Sequence, residues 1–193
     1  MKPSLPLLAG VLLAIVSSGC NRPPSEPAAP APPAAPAAER DAGEPPQQPA
    51  VVQQTAEVPQ LDLPTVDGGR YDLAAHRGKW VVVNFWATWC APCLKEMPEL
   101  SALHAMRENV EVVGLAYEDI EPADMQAFLQ QRPVAYPIAI LDTFAPPKDF
   151  ATPRGLPMSY LIAPDGKVAK QFLGPVSASE IEQAIVAAGG KVA

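Results

Sequence analysis

Two cysteines, Cys90 and Cys93, stand two residues apart in a chain of 193 residues that holds only one other, Cys20. That spacing lets the pair close a disulfide within one helical turn. The pair directly follows Val81-Val82-Val83-Asn84-Phe85-Trp86, an apolar, β-branched run that predicts a buried strand. After it, Leu94, Met97, Leu100 and Leu103 recur at intervals of three, as on one face of a helix. The order is therefore strand, short turn, Cys-x-x-Cys, helix. A helix's first turn offers unpaired N–H groups and the positive end of the macrodipole, so a thiolate placed there becomes a nucleophile near neutral pH. Cys90 is expected as the outer, exposed sulfur and Cys93, one turn in, as the shielded one. Attack by Cys90 on a substrate disulfide forms a mixed disulfide, which Cys93 resolves. Pro92, with fixed φ and no N–H, suits the first turn. A bare Cys-x-x-Cys is also half of a zinc site, but the sequence has no second cysteine pair or paired histidines to complete one.

Trp89-Cys90-Ala91-Pro92-Cys93 after Asn84-Phe85-Trp86-Ala87-Thr88 resembles the thioredoxin superfamily, specifically its TlpA/ResA-like branch of membrane-tethered, extracytoplasmic thiol–disulfide oxidoreductases. The likeness spans roughly residues 58–185. It implies an α/β, thioredoxin-like fold: a central mixed sheet flanked by helices, with an added N-terminal β-hairpin. It implies a redox centre made of Cys90 and Cys93 alone, with no organic cofactor and no metal. It further implies that Pro157, in Gly155-Leu156-Pro157-Met158-Ser159-Tyr160-Leu161-Ile162, follows a cis bond beside the cysteines, with Leu156 on a loop that pairs with the substrate backbone. Trp89, directly before Cys90, and Pro92 are expected on the docking surface. Glu96, in Glu96-Met97-Pro98, falls three residues after Cys93 and on the same helical face. The likeness places this acid near the thiols, where a carboxylate raises thiol pKa and can carry a proton to the inner sulfur; the plain alternative is a first-turn Glu that favours the dipole. Asn84 stands where thioredoxin carries a buried Asp, which leaves Glu96 as the substitute.

Composition divides the chain. Met1-Lys2 and the apolar run Leu5–Val16 have the length of a signal-peptide core, too short for a standard membrane span. Ser17-Ser18-Gly19-Cys20 resembles the lipobox of bacterial lipoproteins, with Ser17 where Leu is common, and makes Cys20 the expected lipidation site. Residues 20–57 are rich in Pro and Ala with almost no large apolar side chain, so they read as a disordered tether reaching on the order of 100 Å. Residues 58–193, ~135 in all, suit one domain. The expected division is therefore 1–19 signal, 20–57 tether and 58–193 folded domain. The formal charge of −7 argues against a nucleic-acid partner.

Within the domain, Thr65-Val66-Asp67-Gly68 predicts the turn of a hairpin. Residues 74–79 are expected as a loop with His76 solvated. Val110–Tyr117 predicts a second buried strand, and Glu118 to Glu121 the cap of a helix over roughly 122–131. Residues 137–141 read as extended, 143–154 as a proline-rich loop, and Ser177 or Ser179 as the cap of the last helix. His104 and Lys95 are expected as satisfied or solvated helix residues, and Trp86 as packing.

These readings converge on an exported enzyme, anchored to a membrane through lipid, that reduces disulfides of exported proteins such as apocytochrome c with electrons from a membrane thiol donor. A disulfide-donating oxidase shares the motif. A peroxidase of this fold uses Thr-x-x-Cys, whereas Thr88 stands two residues before Cys90. A binding module with a structural disulfide is the non-enzymatic alternative.

Overall fold

The structure, a computed structural model, describes residues 51–193; the expected signal peptide, Cys20 and most of the tether lie outside the described residues. The elements run β1 (Asp62–Pro64), β2 (Arg70–Asp72), a 3-10 turn (Leu73–His76), β3 (Trp80–Trp86), α1 (Ala91–Met106), β4 (Val110–Ala116), α2 (Pro122–Gln131), β5 (Ile138–Ile140), β6 (Met158–Ile162), β7 (Val168–Leu173) and α3 (Ala178–Ala187). The predicted hairpin forms, with Leu63 opposite Tyr71. The main sheet has the order β5-β4-β3-β6-β7 and is mixed: β3, β4 and β5 are parallel, β6 runs against β3, and β7 pairs antiparallel with β6.

β3 is central and every residue in it is buried, which explains a continuous apolar run instead of an alternating one. Its even-numbered side chains Trp80, Val82 and Trp86 join Leu100 and Leu103 of α1, Met125 of α2, and Ile181 and Ile185 of α3. Its odd-numbered Val81, Val83 and Phe85 join Leu61, Tyr71, Leu73, Phe150 and Tyr160. The flanking helices thus gather on one face, because β3-α1-β4 and β4-α2-β5 step the same way along the sheet and right-handed crossovers then share a side. The hairpin and the proline-rich loop cover the other face.

Residues 52–57, which composition alone assigns to the tether, are bonded to the domain. Val52 N–H donates to Thr152 Oγ1, Thr152 N–H to the Val52 carbonyl, and Thr55 Oγ1 to the Tyr160 hydroxyl. Ala56 N–H reaches the Asp149 carbonyl, and Val168 N–H the Glu57 carbonyl. This segment pins the loop after β5, whose residues 143–154 carry no helix. Pairing of backbone with loop, invisible to composition, moves the start of the folded region about six residues ahead of the expected boundary at 58.

His76 is half-buried, not solvated. Its ring stacks on Tyr71 with centroids 4.3 Å apart, and its Nδ1 pairs with Glu111, which Lys79 also contacts. Glu111 is 35 residues away from it in sequence; the start of β3 lying beside β4 brings them together. His104 is satisfied as expected, its Nδ1 accepting 3.0 Å from Val112 N–H, and burial lowers its pKa. Ser177 caps α3 in a reciprocal capping box with Glu180.

Candidate active site

β3, β4 and β5 are parallel, so their C-terminal ends share one end of the sheet, and the Cys90 loop leaves from there. Cys90 is the N-cap of the 16-residue α1, with extended backbone. Its Sγ accepts 3.3 Å from Cys93 N–H, the bond that an N-cap oxygen makes in other helices. Pro92 lies in the first turn and is exposed. Cys90 and Cys93 are joined by a disulfide, with Cα atoms 5.2 Å apart.

The exposure expected of Cys90 is corrected in degree. Cys90 is only 4 % exposed and Cys93 0 %. Both sulfur-bearing residues belong to an apolar cluster with Trp86, Ala87, Met97 and Val176, against which Leu156 also packs. The ranking of the two residues is kept, so an approaching group meets Cys90 first. Trp89, immediately before it, is 70 % exposed.

The Leu156–Pro157 peptide bond is cis. Antiparallel pairing of β3 with β6 sets Phe85 opposite Met158. Pro157 therefore sits at the sheet end from which the cysteine loop departs. Its carbonyl accepts from Gly174 N–H.

Glu96 is buried, at 5 % exposure, and its two carboxyl oxygens are tied separately. Asn84 Nδ2 donates to Oε1 at 2.8 Å, and Val176 N–H to Oε2 at 2.8 Å. Burial raises the Glu96 pKa, and the bonds from Val176 and Asn84 pull against it. The net effect keeps a proton on this carboxyl above the ordinary range. Asn84 Nδ2 also donates 2.9 Å to Ser159 Oγ. The structure thus brings together Asn84 and Glu96, two positions that the sequence links only by likeness. Ser159 and Val176 escape the sequence reading. Ser159 is the cross-strand partner of Asn84, a relation that needs the register, and Val176 contributes only its backbone.

Glu118 does not cap α2. That helix starts at Glu121 without a side-chain cap, with Pro122 in its first turn. Glu118 instead accepts from Thr88 N–H at 2.6 Å and from Thr88 Oγ1 at 2.8 Å. This clamp ties the loop carrying the cysteines to the loop after β4. Glu118→Ala is expected to destabilise the protein by about 1–3 kcal/mol, because the Thr88 N–H loses its partner. Denaturant unfolding checks it. An unchanged midpoint would mean that water replaces the carboxylate at no cost.

Among the described residues no cluster of three or more metal-ligating side chains occurs, and no helix is long and apolar enough to cross a membrane.

Residues 55–181 match the family model described as the AhpC/TSA family. Thiol-disulfide oxidoreductase ResA of Bacillus cereus is 33 % identical over 128 residues, covering 65 % of this chain and 73 % of that protein. ResA of Bacillus subtilis is 33 % identical over 132 residues, covering 67 % and 73 %. A thiol:disulfide interchange protein from Chlorobium tepidum, assigned as DsbE, superposes with a TM-score of 0.61 at 30 % identity over 72 % of this chain and 99 % of that one. Exchange by such a pair runs on the two sulfurs alone. With its sheet, its cysteine pair at a helix start and its relatives in agreement, the chain belongs to the AhpC/TSA family of thioredoxin-like proteins, as a TlpA/ResA-like thiol–disulfide oxidoreductase.

Proposed function

We propose that this oxidoreductase works outside the cytoplasm, held to a membrane through a lipid on Cys20, and that it reduces disulfides of exported proteins. Oxidised haem-binding thiols of apocytochrome c are the kind of target it fits. The observation that carries the reading is the position of Cys90: N-cap of α1, and the more accessible member of a largely buried pair. The Cys90 thiolate attacks one sulfur of the substrate disulfide. An S–S bond forms between enzyme and substrate, and one substrate thiolate leaves. Cys93 then gives up its proton and attacks the Cys90 sulfur. The Cys90–Cys93 bond closes and the second substrate thiolate leaves, so two electrons have passed to the substrate. Glu96, one turn beyond Cys93, takes the Cys93 proton on its ionised carboxylate, which burial makes a stronger base than an exposed one. Trp89, Pro92 and Leu156 form the rim against which the substrate chain lies, with the Pro157 turn setting the loop's path. A membrane thiol carrier returns the pair to the dithiol.

The terminal apolar run, the Ser-Ser-Gly-Cys segment and the Pro/Ala-rich stretch support export and tethering. Fatty-acid labelling that is lost in Cys20→Ala is the expected result; no label in the parent chain contradicts the anchor. For direction, the reduction potential decides. The reductive reading expects a value well below the ~−120 mV of a strong disulfide donor, and since ~30 mV moves the equilibrium about tenfold, a value near −120 mV reverses the assignment.

A further inference from the structure

Residues 151–156 lead into the Leu156–Pro157 bond, and they form neither helix nor strand. Pro153 has no N–H to donate, and Arg154 and Gly155 are exposed. The segment starts after the buried Phe150 and ends where Met158 enters β6. Between these anchors, the backbone N–H groups of Ala151 and Thr152 both donate to residues 52–57. Ala151 N–H reaches Thr55 Oγ1 at 2.9 Å, and Thr152 N–H reaches the Val52 carbonyl at 2.9 Å. Val52 N–H returns a bond of 2.9 Å to Thr152 Oγ1.

Residues 52–57 are in turn fixed to the sheet. Ala56 N–H donates 2.8 Å to the Asp149 carbonyl, and Val168 N–H, at the start of β7, donates 3.0 Å to the Glu57 carbonyl. Thr55 is the centre of the arrangement. Its hydroxyl accepts from Ala151 and donates 2.8 Å to Tyr160 Oη in β6. Gln171 Nε2 of β7 donates to that phenol oxygen and to Met158 Sδ, at 3.2 Å each. One hydroxyl thus links the chain ahead of Pro157, at Ala151, to the chain behind it, at Tyr160 and Met158. Leu156, inside this span, packs against the apolar clusters on both faces of the sheet.

We propose that residues 52–57 are a strap that positions the substrate-docking turn, with Thr55 as its central positioning residue: the strap holds Leu156 and Pro157 ready for an incoming chain and takes no part in the sulfur chemistry. The docking consequence rests on the reading of Leu156 as part of the rim; the hold on the loop does not. A segment with few hydrogen bonds opens locally at a small free-energy cost. Ordering such a segment at the moment of binding lowers affinity, and a segment ordered beforehand avoids that loss. The strap does this ordering as the domain folds. Loosening it therefore weakens capture of a polypeptide and leaves the reactivity of Cys90 as it is.

Two measurements on the full chain test this. Thr55→Val keeps the side-chain shape and removes the hydroxyl; Thr55→Ser keeps the hydroxyl. Amide hydrogen exchange at Ala151 and Thr152 is expected to be about tenfold faster in Thr55→Val, with β3 unmoved and parent rates in Thr55→Ser. Unchanged exchange in Thr55→Val overturns the strap. In insulin reduction, KM is expected to rise about three- to tenfold in Thr55→Val, the scale of one hydrogen bond. The kcat and the alkylation rate of Cys90 are expected to stay at the parent values, and Thr55→Ser to restore KM. A purely structural role would lower stability and leave KM alone, so an unchanged KM overturns the positioning role. Leu156→Ala, run beside it, locates that failure. If Leu156→Ala raises KM, the rim stands and something other than the strap positions it; if KM is unchanged there too, the rim reading itself has failed.

Discussion

Cys90→Ser is expected to lower disulfide exchange by roughly 10⁴-fold or more, the scale on which removal of an essential nucleophile acts. Cys93→Ser gives a different outcome. It leaves attack intact and removes the resolving group, so substrate accumulates as a mixed disulfide on Cys90. The asymmetry follows from placement: Cys90 keeps 4 % exposure and Cys93 none. An insulin-reduction assay with non-reducing gel electrophoresis checks both. If Cys90→Ser retained full activity, the disulfide would be a staple and the chain a binding module. If Cys90→Ser were the variant that trapped substrate, the roles of the two sulfurs would be exchanged. A peroxide-turnover assay run beside it is expected to be negative: Thr88, the residue nearest to a peroxidase threonine, gives its hydroxyl to Glu118.

Glu96→Gln is the second large effect. A general acid or base contributes typically 10²–10⁴-fold to its step, so release of substrate from Cys90 is expected to slow about 10²-fold and lose its dependence on pH in the range where Glu96 titrates. Stability gives a separate readout. Burial holds the folded-state pKa of Glu96 above its ordinary 4.5. The folded protein therefore binds this proton more tightly than the unfolded chain does. The stabilisation is complete below pH 4.5 and is lost as pH rises through the folded-state value. Gln cannot ionise, so the variant lacks that decline. One of the two donors, Asn84 Nδ2 or Val176 N–H, then faces an amide nitrogen, which costs about 1–3 kcal/mol. The deficit relative to the parent is expected to be largest near pH ~4 and to shrink toward pH ~8. Denaturant unfolding across that interval measures it. A constant deficit would mean that Glu96 titrates alike in both states.

The sequence carries the parts of this site that local physics determines. The β-branched run before the cysteines, the apolar spacing after them and the first-turn proline suffice for strand, N-cap and helix. Asp67-Gly68 suffices for the hairpin turn, and the serines at 177 and 179 for the presence of a last cap, which Ser177 makes. What it does not carry depends on strands meeting. Ser159 faces Asn84 only through the β3–β6 register, Glu118 meets Thr88 only because two loops leave the same sheet end, and Glu111 meets His76 only because β4 lies beside β3. Cys90 reads as exposed because loops normally are; packing of Ala87, Val176 and Leu156 around the sulfurs overrides that tendency. Residues 52–57 read as linker because they lack large apolar side chains, yet their backbone and Thr55 find partners on the loop after β5.

The start of α1 is expected to make Cys90 an acidic, first-reacting thiol. The most direct measurement of this is the rate of alkylation of each cysteine in the reduced protein as a function of pH, read by mass spectrometry. Cys90 is expected to be modified before Cys93, with a midpoint clearly below the ~8.5 of a free thiol. A Cys90 midpoint at or above that value, or earlier labelling of Cys93, would contradict it.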